Sequence, residues 1–139
     1  MSQVNSKAID LDVNEWLGGP PTNISNELGR PILIKVFQVN CPGCFTHGIP
    51  EVLEVREKFK DSPLLVWGLA TAFEDSHLNT FENLQRLMET GEVVGETLEA
   101  LIASGLLNNN CLDYSISFPV AWDKVIPHHS DDYLLDAQK

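Results

Sequence analysis

The sequence predicts an α/β domain with parallel strands, and three observations carry that expectation. Pro31 to Val39 is a near-continuous apolar run, which suits a strand at the centre of a sheet covered on both faces. Phe45, Ile49, Val52, Leu53 and Phe59 then recur mostly at helical spacing, with Glu51, Glu54, Arg56 and Glu57 between them. Beyond the turn Asp61-Ser62-Pro63, Leu64 to Ala70 reads as a second apolar strand. Strand, helix and strand in that order imply a parallel pair joined by a right-handed crossover.

The other elements follow along the chain. Residues 1–30 are weakly patterned, and residues 1–13 stand as a candidate disordered lead-in. Trp16-Leu17 runs into the breaker cluster Gly18-Gly19-Pro20-Pro21, and Asn23 to Arg30 reads as a short turn or helix ending at Gly29. Pro50 lies inside the first helical pattern and should kink it. Two helices are expected within 75–106. Leu78, Phe81, Leu84, Leu87 and Met88 share a face of the first, and Val94, Leu98, Leu101 and Ile102 a face of the second. Gly91 and Gly105 serve as their stops. Asn108-Asn109-Asn110 reads as a loop. Ser115 to Phe118 leads to Pro119, and Val120 to Val125 reads as a further strand. Residues 126–139 form a short tail, with one short helix expected over Ser130 to Lys139.

Composition narrows the function classes. A length of 139 residues favours one domain that can bury a core without disulfide staples. Nine basic against twenty acidic residues give a net charge of −11. That balance argues against nucleic acid, whose phosphates need clustered Lys and Arg, and against docking on anionic membrane. A solvated acidic surface is the plain explanation. Met1 to Lys7 carries no apolar stretch of a secretory leader, and no run is long enough to span a bilayer. As written, the chain reads as cytoplasmic. Three cysteines are too few and too odd for a secreted disulfide framework. In a reducing compartment a close pair points to catalysis or metal instead.

That pair is Cys41-Pro42-Gly43-Cys44, directly after a strand and at the start of a helix. The nucleophile in disulfide exchange is a thiolate, and a helix N-terminus stabilises negative charge through its free N–H groups. Cys41, in the first turn, receives most of that field. A two-residue spacer on a helical turn brings the two sulfurs within bonding reach. Cys44, one turn further, is expected to be the sheltered, resolving thiol and Cys41 the exposed nucleophile. Pro42 fits the first turn, where no N–H partner is needed. Gly43 leaves room for a partner backbone to approach.

Strand, C-x-x-C, kinked helix, strand and a later proline opening a strand together resemble the thioredoxin superfamily over residues 14–125. The Trp16-Leu17 lead-in and the helical insertion at 75–106 look more like its TlpA-like or redoxin branch. The resemblance implies a three-layer sandwich with a central mixed sheet. It also implies a cis Pro119 opposite the cysteines, with Phe118 and Pro119 shaping the substrate groove. Departures stand beside it. Asn40 occupies the place of the usual Trp before the first cysteine. Lys35 falls where the family has a buried acid; it could favour a nearby thiolate or snorkel to solvent. Pro50 lies one residue further from Cys44 than the family's kinking proline. The chain after Pro119 is short for the family's last strands.

The same residues offer the donor atoms of other chemistries. Cys41, Cys44 and His47 form C-x-x-C-x-x-H, a possible zinc set with Cys111, His128 or His129 as fourth ligand, but all three lie on one short segment. Haem attachment needs His directly after the second cysteine, where Phe45 stands. A peroxiredoxin-type site would need Thr where Gln38 stands. His47 is either a modulator of the thiolate or an exposed helix residue. Cys111 reads as a small buried hydrophobe, and Trp67 and Trp122 as packing residues. Trp16 covers either the sheet edge or the site.

The expected function is thiol–disulfide oxidoreduction. Cys41 attacks and Cys44 resolves; Pro42, Gly43, Phe118 and Pro119 meet the substrate; Lys35 and His47 modulate. The cysteine pair carries the electrons, so no organic cofactor and no metal is expected. Partners are a protein or small-molecule disulfide and a reductase or thiol reductant. The alternative is a non-catalytic binding module on the same fold, or the Cys/His metal site.

Overall fold

The computed structural model describes residues 8–124. Strands β1 (Val13–Leu17), β2 (Ile32–Phe37), β3 (Leu65–Ala70) and β6 (Val120–Asp123) form one sheet in the order β1-β6-β3-β2. β2, β3 and β6 run parallel, and β1 is antiparallel to β6. The sheet is therefore mixed, and the expected β2–β3 parallel pair is present. A π-helical stretch, Cys44–Gly48, leads into helix α1 (Ile49–Lys58) between those two strands. Helices α2 (Phe81–Thr90) and α3 (Gly95–Ala103) lie between β3 and β6.

Parallel partners share a sheet face. Leu33, Lys35 and Phe37 thus stand on one face with Val66, Gly68 and Ala70, and with Val120 and Trp122. The core forms on this face: Phe37, Val66, Ala70, Phe118 and Val120 pack with Phe45, Ile49, Leu84, Leu87 and Leu101. Burying a side chain of this size contributes about 1.5–3 kcal/mol. Trp16 and Trp67 stand on the opposite face, edge to face at 5.1 Å. Trp16 is therefore a packing residue of the sheet, like the buried Trp67. Helices α1, α2 and α3 all contribute to the core of the first face, whereas the short 3-10 helix Ile24–Asn26, inside the expected turn or helix at Asn23 to Arg30, buries none of its residues.

Several expectations need correction. β2 ends one side of the sheet rather than filling its centre, and its Val36 is exposed. A run of apolar residues marks a strand without saying which neighbours it acquires. Asp10 and Leu11 are not loose: Ser25 N donates to Asp10 Oδ1, and Leu11 exchanges hydrogen bonds with the Asn23 side chain at 2.8 Å each way. Phe59 and Ile102, expected on buried helix faces, are exposed. Phe59 has already left α1 as its C-cap. On α3 the buried positions are Thr97 and Leu101. The segment Asn108–Asn110 belongs to a small hairpin of β4 (Leu107–Asn108) and β5 (Cys111–Leu112). Asn109 and Asn110 both take positive φ, which Asn tolerates and a two-residue hairpin turn requires. Gly91, at φ 80°, ends α2, and Gly105 follows the Ser104 cap of α3, as expected. Residues 1–7, His128, His129 and the tail 126–139 with its expected helix lie outside the described residues.

Candidate redox site

Cys41 and Cys44 are joined as a disulfide, with their Cα atoms 5.4 Å apart. Pro42 and Gly43 begin the helix, and Cys44 N donates to Cys41 O at 3.1 Å. The helix then widens: Ile49 N donates to Cys44 O, five residues back. Pro50 explains this. It has no N–H for the carbonyl of Thr46, and its ring crowds that carbonyl, so an ordinary turn cannot continue there.

The expected contrast between an exposed Cys41 and a sheltered Cys44 is absent, since both are half-buried. Cys44 packs on the hydrophobic core. Cys41 is covered from another direction, by a polar network that the linear pattern did not reveal. Asn40 N donates to Asn79 Oδ1 at 2.7 Å, and Asn40 Nδ2 to Asp75 Oδ2 at 3.1 Å. Glu96 N donates to Asn40 Oδ1 at 2.8 Å. Cys41 N donates to Thr97 Oγ1 at 2.7 Å, and Thr97 Oγ1 donates to Val39 O at 3.2 Å. Gln38 Oε1 accepts from Phe73 N, Glu74 N and Asn79 Nδ2. Asn40, Asn79 and Thr97 are all buried. Buried polar groups that are fully paired fix one geometry, because any rearrangement leaves a group unsatisfied. The strand exit before Cys41 is thus tied to the 75–106 insertion.

Lys35 stands on the face beneath the helix. A Cβ added to Gly48 would lie 2.7 Å from Lys35 Nζ, so the ammonium occupies the space that glycine leaves open. His47 is exposed on the π-helical stretch. Gly43 is exposed, and a Cβ there would meet nothing within 4 Å. Tyr114 donates its hydroxyl to Phe45 O at 2.7 Å, one residue after Cys44. Burial, and then the carboxylate of Asp113, push the Tyr114 hydroxyl well above its ordinary range, so it remains a donor.

Phe118 and Pro119 are not brought to the cysteines. The parallel strands run toward the cysteine end of the sheet. β6 starts at Val120, level with Gly68 and Lys35. Pro119 precedes that start, on the side away from the pair, where Gly19 approaches its ring. The chain reaches it by running down the helix, from Tyr114 beside Phe45 to Ser117 beside Arg56. Phe118 is fully buried against Gly68 and Phe37 and lines no groove. The Phe118–Pro119 bond is trans, as every described peptide bond is. Trans is the default for X–Pro, and this placement gives no reason for the alternative. Among the described residues, no three His, Cys, Asp or Glu side chains converge on a possible metal position. His47 points to no such group with the cysteine pair, and Cys111 lies on β5.

Comparison with solved structures agrees with this architecture. The chain is similar to a thioredoxin-like superfamily protein at 26% identity and a TM-score of 0.63, covering 96% of this chain and 72% of that one. It is also similar to a thiol-disulfide isomerase from Corynebacterium glutamicum at 25% identity and a TM-score of 0.61, covering 91% and 68%. No family model matches the sequence, and no curated protein matches it. The chain has a thioredoxin-like α/β fold with a C-x-x-C pair at disulfide distance. At a coarse level, that combination supports a thiol–disulfide oxidoreductase.

Proposed function

We propose that the protein exchanges a dithiol for a disulfide through Cys41 and Cys44. The observation that carries this is the bonded pair at the start of a helix, directly after β2. In the reduced form, the Cys41 thiolate is stabilised by the helix N-terminus. It attacks one sulfur of a substrate disulfide. The substrate S–S bond breaks, one substrate thiolate leaves and takes up a proton, and a mixed disulfide with Cys41 remains. Cys44, as its thiolate, attacks Cys41 Sγ and displaces the second substrate thiol. Two electrons have passed to the substrate, and the Cys41–Cys44 disulfide is the oxidised product. A reductase or a thiol reductant restores the dithiol.

Pro42 and the open surface at Gly43 form the face that a substrate meets, while Lys35 and His47 are the nearby groups that can adjust thiolate character. The substrate is a protein or small-molecule disulfide, and the electrons are carried without an organic cofactor or a metal. A cytoplasmic setting fits the three-cysteine composition. No helix among the described residues is long and apolar enough to cross a membrane.

Reduction of insulin disulfides by the purified protein, with a thiol reductant to recycle it, tests the reading. Wild type is expected to accelerate the reaction, and Cys41→Ser and Cys44→Ser to abolish that acceleration. An inactive wild type would overturn it.

A further inference from the structure

We propose that Thr97 is the positioning residue for the Cys41 nucleophile, acting through the hydroxyl that joins Cys41 N and Val39 O. The inference rests on the oxidoreductase reading of Cys41 and adds a residue to it.

The junction between β2 and the helix is where a backbone is hardest to hold. Val39, Asn40 and Cys41 belong to neither element. Val39 O, Asn40 N and Cys41 N are bonded by side chains of the insertion instead. One hydroxyl serves both sides of Asn40: Thr97 Oγ1 accepts from Cys41 N at 2.7 Å and donates to Val39 O at 3.2 Å. Thr97 is 0% exposed, so neither bond competes with water. Asn40 returns the contact. Its Oδ1 accepts from Glu96 N at 2.8 Å, at a helix start whose own cap residue, Val94, supplies no side-chain bond. α3 and the cysteine loop therefore hold one another.

This geometry matters to the thiolate because the field of a helix N-terminus falls off within one turn. Thr97 fixes the Cys41 backbone at that end, and the sulfur is held with it. Valine copies the shape of threonine but can bond neither Cys41 N nor Val39 O. Serine keeps the hydroxyl. The titratable groups around the junction are Asp75, which accepts from Asn40 Nδ2, Glu96 in the first turn of α3, Lys35 beneath the cysteine helix at Gly48, His47 further along that helix and Tyr114, which donates to Phe45 O. None of them changes in these variants.

Reduced protein is treated with iodoacetamide across a pH series, and modification of the Cys41 peptide is followed by mass spectrometry. Thr97→Val is expected to slow Cys41 alkylation at neutral pH about tenfold and to move the midpoint of its pH profile up by about one unit. Thr97→Ser is expected to stay within about twofold of wild type, the hydroxyl being retained. A Thr97→Val profile that coincides with wild type, even at a lowered melting temperature, would overturn the proposal. So would a Thr97→Ser profile that coincides with Thr97→Val. Should Thr97→Val fail to fold, amide exchange of Cys41 in reduced wild type decides the matter. Protection supports the proposal, and exchange at the rate of an unstructured amide overturns it. Alkylation needs no disulfide substrate, so a failed insulin assay would remove the oxidoreductase reading and leave this result standing.

Discussion

Asn40 and Glu96 are 56 residues apart in the chain, yet Asn40 Oδ1 accepts from Glu96 N at 2.8 Å and so caps the first turn of α3. The same side chain donates to Asp75. Removing it therefore uncaps α3 and takes away the partner of the part-buried Asp75 carboxylate and of the Glu96 and Thr97 amides. Asn40→Ala is expected to lower unfolding stability by roughly 1–3 kcal/mol, read from urea denaturation midpoints. Asn40→Asp keeps the acceptor but sets a second carboxylate against Asp75, so it should recover only part of that loss. A stability for Asn40→Ala equal to wild type would show that α3 does not depend on this cap.

Two glycines should respond in opposite ways. At Gly68 a Cβ would come within 2.9 Å of the Phe118 ring, 3.0 Å of Val120 and 3.1 Å of the Phe37 ring. These neighbours belong to the packed core, so Gly68→Ala should cost about 1–3 kcal/mol from overpacking. At Gly43 a Cβ meets open space, and φ is −63°. Gly43→Ala should leave stability unchanged or slightly raised. If Gly43 receives a substrate backbone, the same variant should still slow insulin reduction. Thermal melts of both variants, with insulin assays on Gly43→Ala, check the pair.

Tyr114 gives a pH signature. Its hydroxyl is held well above the ordinary range, chiefly by burial and then by Asp113. The folded state thus disfavours the ionised form. The stability this contributes is whole below the unfolded value of about 10 and is lost as pH rises toward the folded one. Tyr114→Phe also gives up the bond to Phe45 O, at a cost of about 0.5–1.5 kcal/mol near neutrality. Wild type should therefore be more stable than Tyr114→Phe at pH 8, and the gap should narrow by pH 11. A gap that widens with pH would contradict this account.

The legible parts of the fold and site were the local ones. Cys41-Pro42-Gly43-Cys44 and its place between strand and helix follow from adjacent residues, and so do the stops at Gly91 and Gly105. Pro50 also announced a distortion. Its offset of one residue from the family's usual place matches the extra residue that a π-helical turn takes up. The partners of Cys41 were hidden because they are distant and polar. Thr97 looks like a helix surface residue until the fold buries it beside Val39 and Cys41. Asn40 and Asn79 look like turn formers until each is seen to pair across the fold. Phe118-Pro119 misled for a different reason. A proline before an apolar run marks the start of a strand, but only pairing decides which end of the sheet that start occupies, and β6 runs parallel to β3.

The most direct test of the central claim is a trapping experiment with an oxidised disulfide probe, such as glutathione disulfide, read by intact mass and peptide mapping. Reduced Cys44→Ser should hold the probe as a mixed disulfide on Cys41, released by dithiothreitol. Reduced Cys41→Ser should accumulate far less on Cys44, which packs against the core. No adduct on Cys41, or equal labelling of Cys44 in the converse variant, would contradict the assignment of Cys41 as nucleophile and Cys44 as the resolving thiol.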